Sequence, residues 1–215
     1  MQSYSSDLPK IEEFIELGGR EKLEIGCGDG RLSSLLANKV DSLTAIDPDK
    51  AMINLACKKK SGVDFRVGYG ERLEFNDKSY DIVLFSYSLH HQDCVKALDE
   101  AKRVIRDNGI ILIIEPSTEG EYTQFVSIFQ EDEINRLSTT LAYIKSCNFD
   151  IIRQDVYCVN YYFKDDKELY YHFMDSFGGE TDTGALEKMK AILGNKKSAR
   201  PVTIKDKVNI ILLEF

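Results

Sequence analysis

Several features are missing from this chain of 215 residues. No apolar run is long enough to cross a bilayer, and the opening MQSYSSDLPKIEEF has no cationic segment followed by an apolar one. Neither a membrane anchor nor an export leader is therefore expected. The five cysteines, Cys27, Cys57, Cys94, Cys147 and Cys158, never form a C-x-x-C pair, which argues against a disulfide framework and against a zinc ribbon. They read as reduced thiols packed as small hydrophobes in a cytoplasmic protein. Excess positive charge is lacking too. With 28 lysines and arginines against 36 aspartates and glutamates, the net charge is -8. Such a chain repels nucleic acid and anionic lipid at long range, so a small-molecule substrate is favoured, with no nucleic-acid partner and no membrane. Internal repeats, low-complexity linkers and shifts of composition are also absent, and a single domain over residues 1–215 is the starting expectation.

What is present is an alternation of apolar strands and amphipathic helices. A short helix over Lys10–Leu17 precedes strands at Lys22–Gly26, Ser42–Asp47, Val63–Gly68, Tyr80–Ser86 and Gly109–Glu115. Helices at Arg31–Asn38, Lys50–Lys60 and Cys94–Ile105 fall between them. Apolar strands separated by helices pair in parallel and are covered on both faces, so the fold class is α/β, a doubly wound Rossmann-like sheet. The second half is less regular. Helices are expected at Glu131–Cys147, Asp165–Phe177 and Gly184–Leu193, with a break at Gly178-Gly179, a long strand at Asp150–Phe163 and a last strand, KVNIILLEF, over Lys207–Phe215. Residues 20–116 then form a core, with helical insertions at 117–148 and 164–206 after strands 5 and 6.

The informative stretch is KLEIGCGDGRLSSLLA, Lys22 to Ala37: a strand that enters three alternating glycines and leaves as a helix. At the first crossover of an α/β sheet, such a turn is where nucleotides and related cofactors bind, because glycine lets a ligand lie against the main chain. The dinucleotide pattern G-x-G-x-x-G fails at its third glycine, where Arg31 stands, and the Gly-Lys-Ser/Thr of phosphate-binding loops is absent. The spacing is instead E-x-G-x-G-x-G, from Glu24 to Gly30. The next strand ends LTAID, and Asp47 follows the loop by about the interval that places an acid on ribose hydroxyls.

These residues, with VGYGERLEF (Val67–Phe75), the strand Ser79-Tyr80-Asp81-Ile82-Val83 and the triplet Leu89-His90-His91, resemble the class I S-adenosylmethionine-dependent methyltransferases over Leu23–Glu115. The resemblance implies S-adenosyl-L-methionine as cofactor, and an extra antiparallel edge strand at the end of the chain. It puts Gly26, Cys27, Gly28 and Gly30 along the methionine portion and ribose, with Glu24 orienting the loop or the ligand's ammonium. It puts Asp47 on the ribose, Pro48 and Met52 against the adenosine, and Ser86 at the end of the fourth strand within the same site. Tyr69 stands where the family carries the acid that meets the adenine amine. Either Tyr69 bonds differently beside Gly70, or Glu71 takes over.

Methyl transfer from a sulfonium needs alignment and exclusion of water more than a nucleophilic residue. A base is needed if the acceptor carries a proton, and His90 or His91, titrating near neutrality at the sheet's carboxyl edge, are the candidates. No metal is expected, since His90, His91 and His172 share no metal-ligand spacing. Tyr161, Tyr162, Phe163, Tyr170 and Tyr171 in the second half are expected to wall the acceptor, or else to be core or the surface of a homodimer. Two other readings stay open. One is a non-catalytic regulatory or scaffold subunit that binds S-adenosyl-L-methionine. The other, disfavoured by Arg31, is an NAD-dependent oxidoreductase.

Overall fold

A computed structural model describes residues 7–147, 149–178 and 183–214. Asn148, Gly179 and Phe215, which bounded expected segments, lie outside the described residues. The elements follow the order α1 (Asp7–Phe14), β1 (Glu21–Ile25), α2 (Arg31–Leu36), β2 (Ser42–Asp47), α3 (Lys50–Cys57), β3 (Asp64–Val67), β4 (Tyr80–Ser86), α4 (Cys94–Val104) and β5 (Ile105–Pro116). The second half adds α5 (Glu121–Val126), α6 (Glu133–Ser146), β6 (Asp150–Phe163), α7 (Asp166–Phe177), α8 (Thr183–Leu193) and β7 (Val202–Glu214).

The seven strands form one sheet in the order β3-β2-β1-β4-β5-β7-β6. The pairs β1/β2, β1/β4, β2/β3 and β4/β5 are parallel, and the last strands run antiparallel. Reversal of strand order on either side of β1 and β4 creates a crevice at their carboxyl ends. These strands sit centrally because both their faces are covered: Leu23, Ile25, Val83, Phe85, Ile111 and Ile113 share one buried cluster, and Glu24, Leu84, Leu112 and Ile114 on the other face are buried too. Strand β3, exposed at three of its four residues, is the edge.

Packing divides the chain into two compact units. One holds the residues up to Glu115, with Thr139–Asp155 and the chain from Asn209, and the other holds Pro116–Ser138 and Val156–Val208. Strands β6 and β7 contribute residues to both. The second unit is built on aromatic rings. Tyr122 stacks on Tyr161 at 4.4 Å, and Phe125 on Phe173 at 5.0 Å. Of the aromatics expected to wall an acceptor, Tyr161 and Phe163 are instead buried in this core, while Tyr162 between them is 62% exposed. That alternation is the strand period of two, which sends neighbours to opposite faces.

Several bounds differ from expectation, among them β5, which begins at Ile105 rather than Gly109. Helix α1 begins at Asp7, whose buried carboxylate accepts a 3.2 Å hydrogen bond from the Tyr87 hydroxyl. Helix α5 was not legible, because six residues carry too little periodicity. It is capped from a distance, with the Asp206 carboxylate accepting from the Thr123 N–H at 3.3 Å. Strand β7 starts five residues before Lys207, over Val202–Asp206, where buried and more exposed residues alternate. Among the described residues no helix is long and apolar enough to cross a membrane.

Candidate cofactor site

The glycine loop leaves β1 with three left-handed backbone positions, Gly26 (φ +79°), Gly28 (+53°) and Gly30 (+73°), a region costly for residues with a Cβ. The three serve different ends. A Cβ on Gly26 would come within 2.3 Å of the Ser88 Cβ, and one on Gly30 within 2.8 Å of Phe65 and Ala56. Those two glycines are needed for close packing. A Cβ on Gly28 would meet nothing within 4 Å. Its N–H donates to Asp47 Oδ2 at 2.8 Å, and the other carboxylate oxygen accepts from the Asp49 N–H at 2.9 Å. Asp47 thus ties the loop after β1 to the turn after β2. The Gly26 and Cys27 N–H groups both donate to the Ile46 carbonyl, at 2.8 and 3.0 Å.

Beneath the loop, Glu24 is 1% exposed and accepts a 2.6 Å hydrogen bond from Ser33 Oγ. Burial raises its carboxyl from the ordinary 4.5 to about 7; the Ser33 bond opposes the rise and the nearby Asp47 charge adds to it. Burial, helped by the charges of Glu24 and Asp47, also pushes the Cys27 thiol well above its usual range, which leaves it a poor nucleophile.

A cleft of about 510 Å³ opens over this loop, walled by the ends of β1, β2 and β4 and by the segment after β3. At the end of β4, Ser86 is 7% exposed and its Oγ is buried without a hydrogen-bond partner. Tyr87 follows in the left-handed region (φ +55°), held by its N–H to the Ile114 carbonyl at 2.8 Å. Ser88 Oγ then donates to the Ile25 carbonyl at 2.6 Å, which fastens this turn to the glycine loop. A single 3-10 turn, Leu89–His91, comes next. The fully buried Glu115 collects three groups from it. Oε1 accepts from the N–H groups of Leu89 and His90, at 2.7 and 3.4 Å, and Oε2 meets His90 Nδ1.

Residues 23–113 match a family described as "Methyltransferase domain". This stretch spans the glycine loop, the Asp47 turn, the Gly68–Glu71 segment and the turn after β4, the parts that converge on the cleft. Over residues 23–113 the chain is similar to methyltransferase domains. The phthiotriol/phenolphthiotriol dimycocerosates methyltransferase of Mycobacterium tuberculosis is 38% identical over 101 residues, which cover 44% of this chain and 37% of that protein. A candidate methyltransferase from Bacillus halodurans C-125 superposes with a TM-score of 0.73 at 17% identity, over 97% of this chain and 98% of that one. The YcgJ protein of Bacillus subtilis superposes with a TM-score of 0.70 at 20% identity, over 98% of each chain. At such identities the solved structures speak for the fold.

Within residues 23–113, Glu24, Gly26, Cys27, Gly28, Asp47, Pro48, Met52, Tyr69, Gly70, Glu71, Ser86 and His91 all line the cleft. Two expected residues do not. Gly30 caps α2 and packs against Phe65 and Ala56 instead. His90 is 3% exposed and turned onto Glu115, while His91, its ring 3.9 Å from that of His90, is the histidine on the cleft. Glu71 Oε1 accepts from the Asp93 N–H at 3.0 Å. Sequence reasoning did not single out Tyr87, Ser88 and Gln92 as cleft residues. The signal for Ser88 was the serine run at the strand end, but only its bond to Ile25 explains it.

Proposed function

We propose that this chain binds S-adenosyl-L-methionine in the cleft over the glycine loop and transfers its methyl group to a small-molecule acceptor. The observation that carries the reading is the conjunction of an open main-chain cradle at Gly28 with the unpartnered, buried Ser86 hydroxyl on the same cleft. A buried hydroxyl without a partner is costly, and a polar ligand end relieves it. The residues fit this cofactor better than a dinucleotide. Asp47 brings negative charge to a site that would repel a pyrophosphate and attract an ammonium and a sulfonium.

When bound, the cofactor supplies an activated methyl group on a sulfonium leaving group. The protein's share is placement. Asp47 still has free lone pairs after its two backbone bonds, so it can accept from ribose hydroxyls while holding the loop. Pro48 and Met52 pack beside the adenosine. If the acceptor carries a proton, His91 takes it on an imidazole nitrogen, and His90 on Glu115 holds the turn that presents His91.

Calorimetric titration of the purified protein with S-adenosylmethionine, S-adenosylhomocysteine and NAD tests the reading. Micromolar binding of the first two and none of the third is expected. Binding of NAD alone overturns it.

A further inference from the structure

The Tyr69–Glu71 end of the cleft lacks an obvious partner for a base. Tyr69 is 54% exposed, and its phenol can both donate and accept, so it cannot choose between ligands by hydrogen-bond sense. Glu71 is engaged by the Asp93 N–H. Beside them lies a group with unmet capacity. The Gln92 side chain lines the same cleft, and its Nε2 donates to the Ser88 carbonyl at 3.1 Å. That bond fixes the sense of the amide, because the reverse orientation would set oxygen against oxygen. The carbonyl, Oε1, is left buried with no hydrogen-bond partner. It sits against the main chain of Gly70: a Cβ there would fall 1.9 Å from Oε1. Residue 70 is a glycine, on this geometry, because the Gln92 amide occupies the place of its side chain.

We infer that Gln92 Oε1 accepts the hydrogen bond of the exocyclic amine of the cofactor's adenine, so that Gln92 rather than Tyr69 or Glu71 selects the base. The inference rests on the cofactor reading above and adds the residue that discriminates. As the ligand enters, the amide pivots about its Nε2–Ser88 bond, which is kept, and its carbonyl moves from the Gly70 backbone toward the cleft. A neutral acceptor held this way takes an N–H and repels a carbonyl at the same position, and sites built around an otherwise unpaired buried group reject the wrong partner strongly. Adenine presents an amine there, whereas hypoxanthine presents an oxygen.

The test is titration with S-adenosylhomocysteine and with S-inosylhomocysteine, its deaminated counterpart. The wild-type protein is expected to prefer the adenosine compound by at least about 30-fold. Gln92→Leu, which keeps the bulk and removes the acceptor, should bring that preference below about threefold, mostly through weaker binding of the adenosine compound. The leucine variant also loses the Nε2 bond to the Ser88 carbonyl, so its melting is recorded beside the titration; should it fail to fold, Gln92→Met carries the same expectation. If S-adenosylhomocysteine binds wild type and the leucine or methionine variant keeps the full preference, the assignment of Gln92 is wrong while the cofactor reading survives. If wild type binds neither compound, the cofactor reading fails and the assignment goes with it.

Discussion

The two packing units of this chain close their interiors in opposite ways. In the unit after Pro116, aromatic rings complete one another: Phe125, Tyr161, Phe163 and Phe173 are all at most 1% exposed, and the Tyr122 hydroxyl pairs with His172 Nε2 at 2.8 Å. In the glycine-loop unit, the buried Ser86 hydroxyl and Gln92 carbonyl have no partner, and both residues line a cleft. An interior closed ring against ring answers to stability. One that keeps polar valences open at a strand edge answers to a ligand.

Four changes test that contrast. The largest effect on folding should come from the aromatic unit. Phe173→Ala removes a fully buried ring and should cost about 3–5 kcal/mol in urea unfolding. If the two interiors serve separate ends, affinity for S-adenosylhomocysteine under native conditions should stay close to wild type, and a matching loss of affinity would break the contrast. Next comes Gly26→Ala, which adds a Cβ at φ +79° and drives it into Ser88. Strain and overpacking together should cost about 3 kcal/mol and abolish ligand binding.

The third change is of pH. Glu24, with its carboxyl raised to about 7, and Asp206 in the aromatic unit, raised by burial from 3.8 to about 6, both hold protons in the folded protein that the unfolded chain releases. Each therefore contributes stability at low pH that is lost as pH rises through its folded value. Thermal melts should fall between about pH 4 and pH 7 and then level, with Glu24 accounting for about 2–3 kcal/mol. Glu24→Gln should remove the upper part of that decline and leave the part below pH 6 that belongs to Asp206. A flat profile in wild type would mean that water reaches both groups. The smallest effect is reserved for Gly28→Ala, where only backbone strain of about 1 kcal/mol opposes the change, so binding should suffer more than folding.

The same contrast governs how much could be read in the sequence. Strands Ser42–Asp47, Tyr80–Ser86 and Asp150–Phe163 have the expected bounds, because their apolar runs are uninterrupted or their ends are marked by turns. The glycine loop and Asp47 were legible as a cofactor device because spacing along the chain encodes them. What was illegible depends on groups far apart in sequence. His90 is withdrawn from the cleft by Glu115, 25 residues on. Gly30 faces Phe65, and α5 is held by Asp206, 83 residues beyond Thr123. No local pattern announces such partners. The aromatics after residue 150 were legible as composition, yet which of them faces the interior was set by strand period at Tyr161, Tyr162 and Phe163.

The bonds from the Gly28 and Asp49 N–H groups to Asp47 carry a kinetic consequence. Because one carboxylate holds both turns in shape, the entropy of ordering the loop is settled during folding and does not recur at each encounter with ligand. Association should then be governed by diffusion and desolvation of the cleft, with no slow ordering step, and residence time becomes the quantity through which sequence changes around the loop adjust affinity.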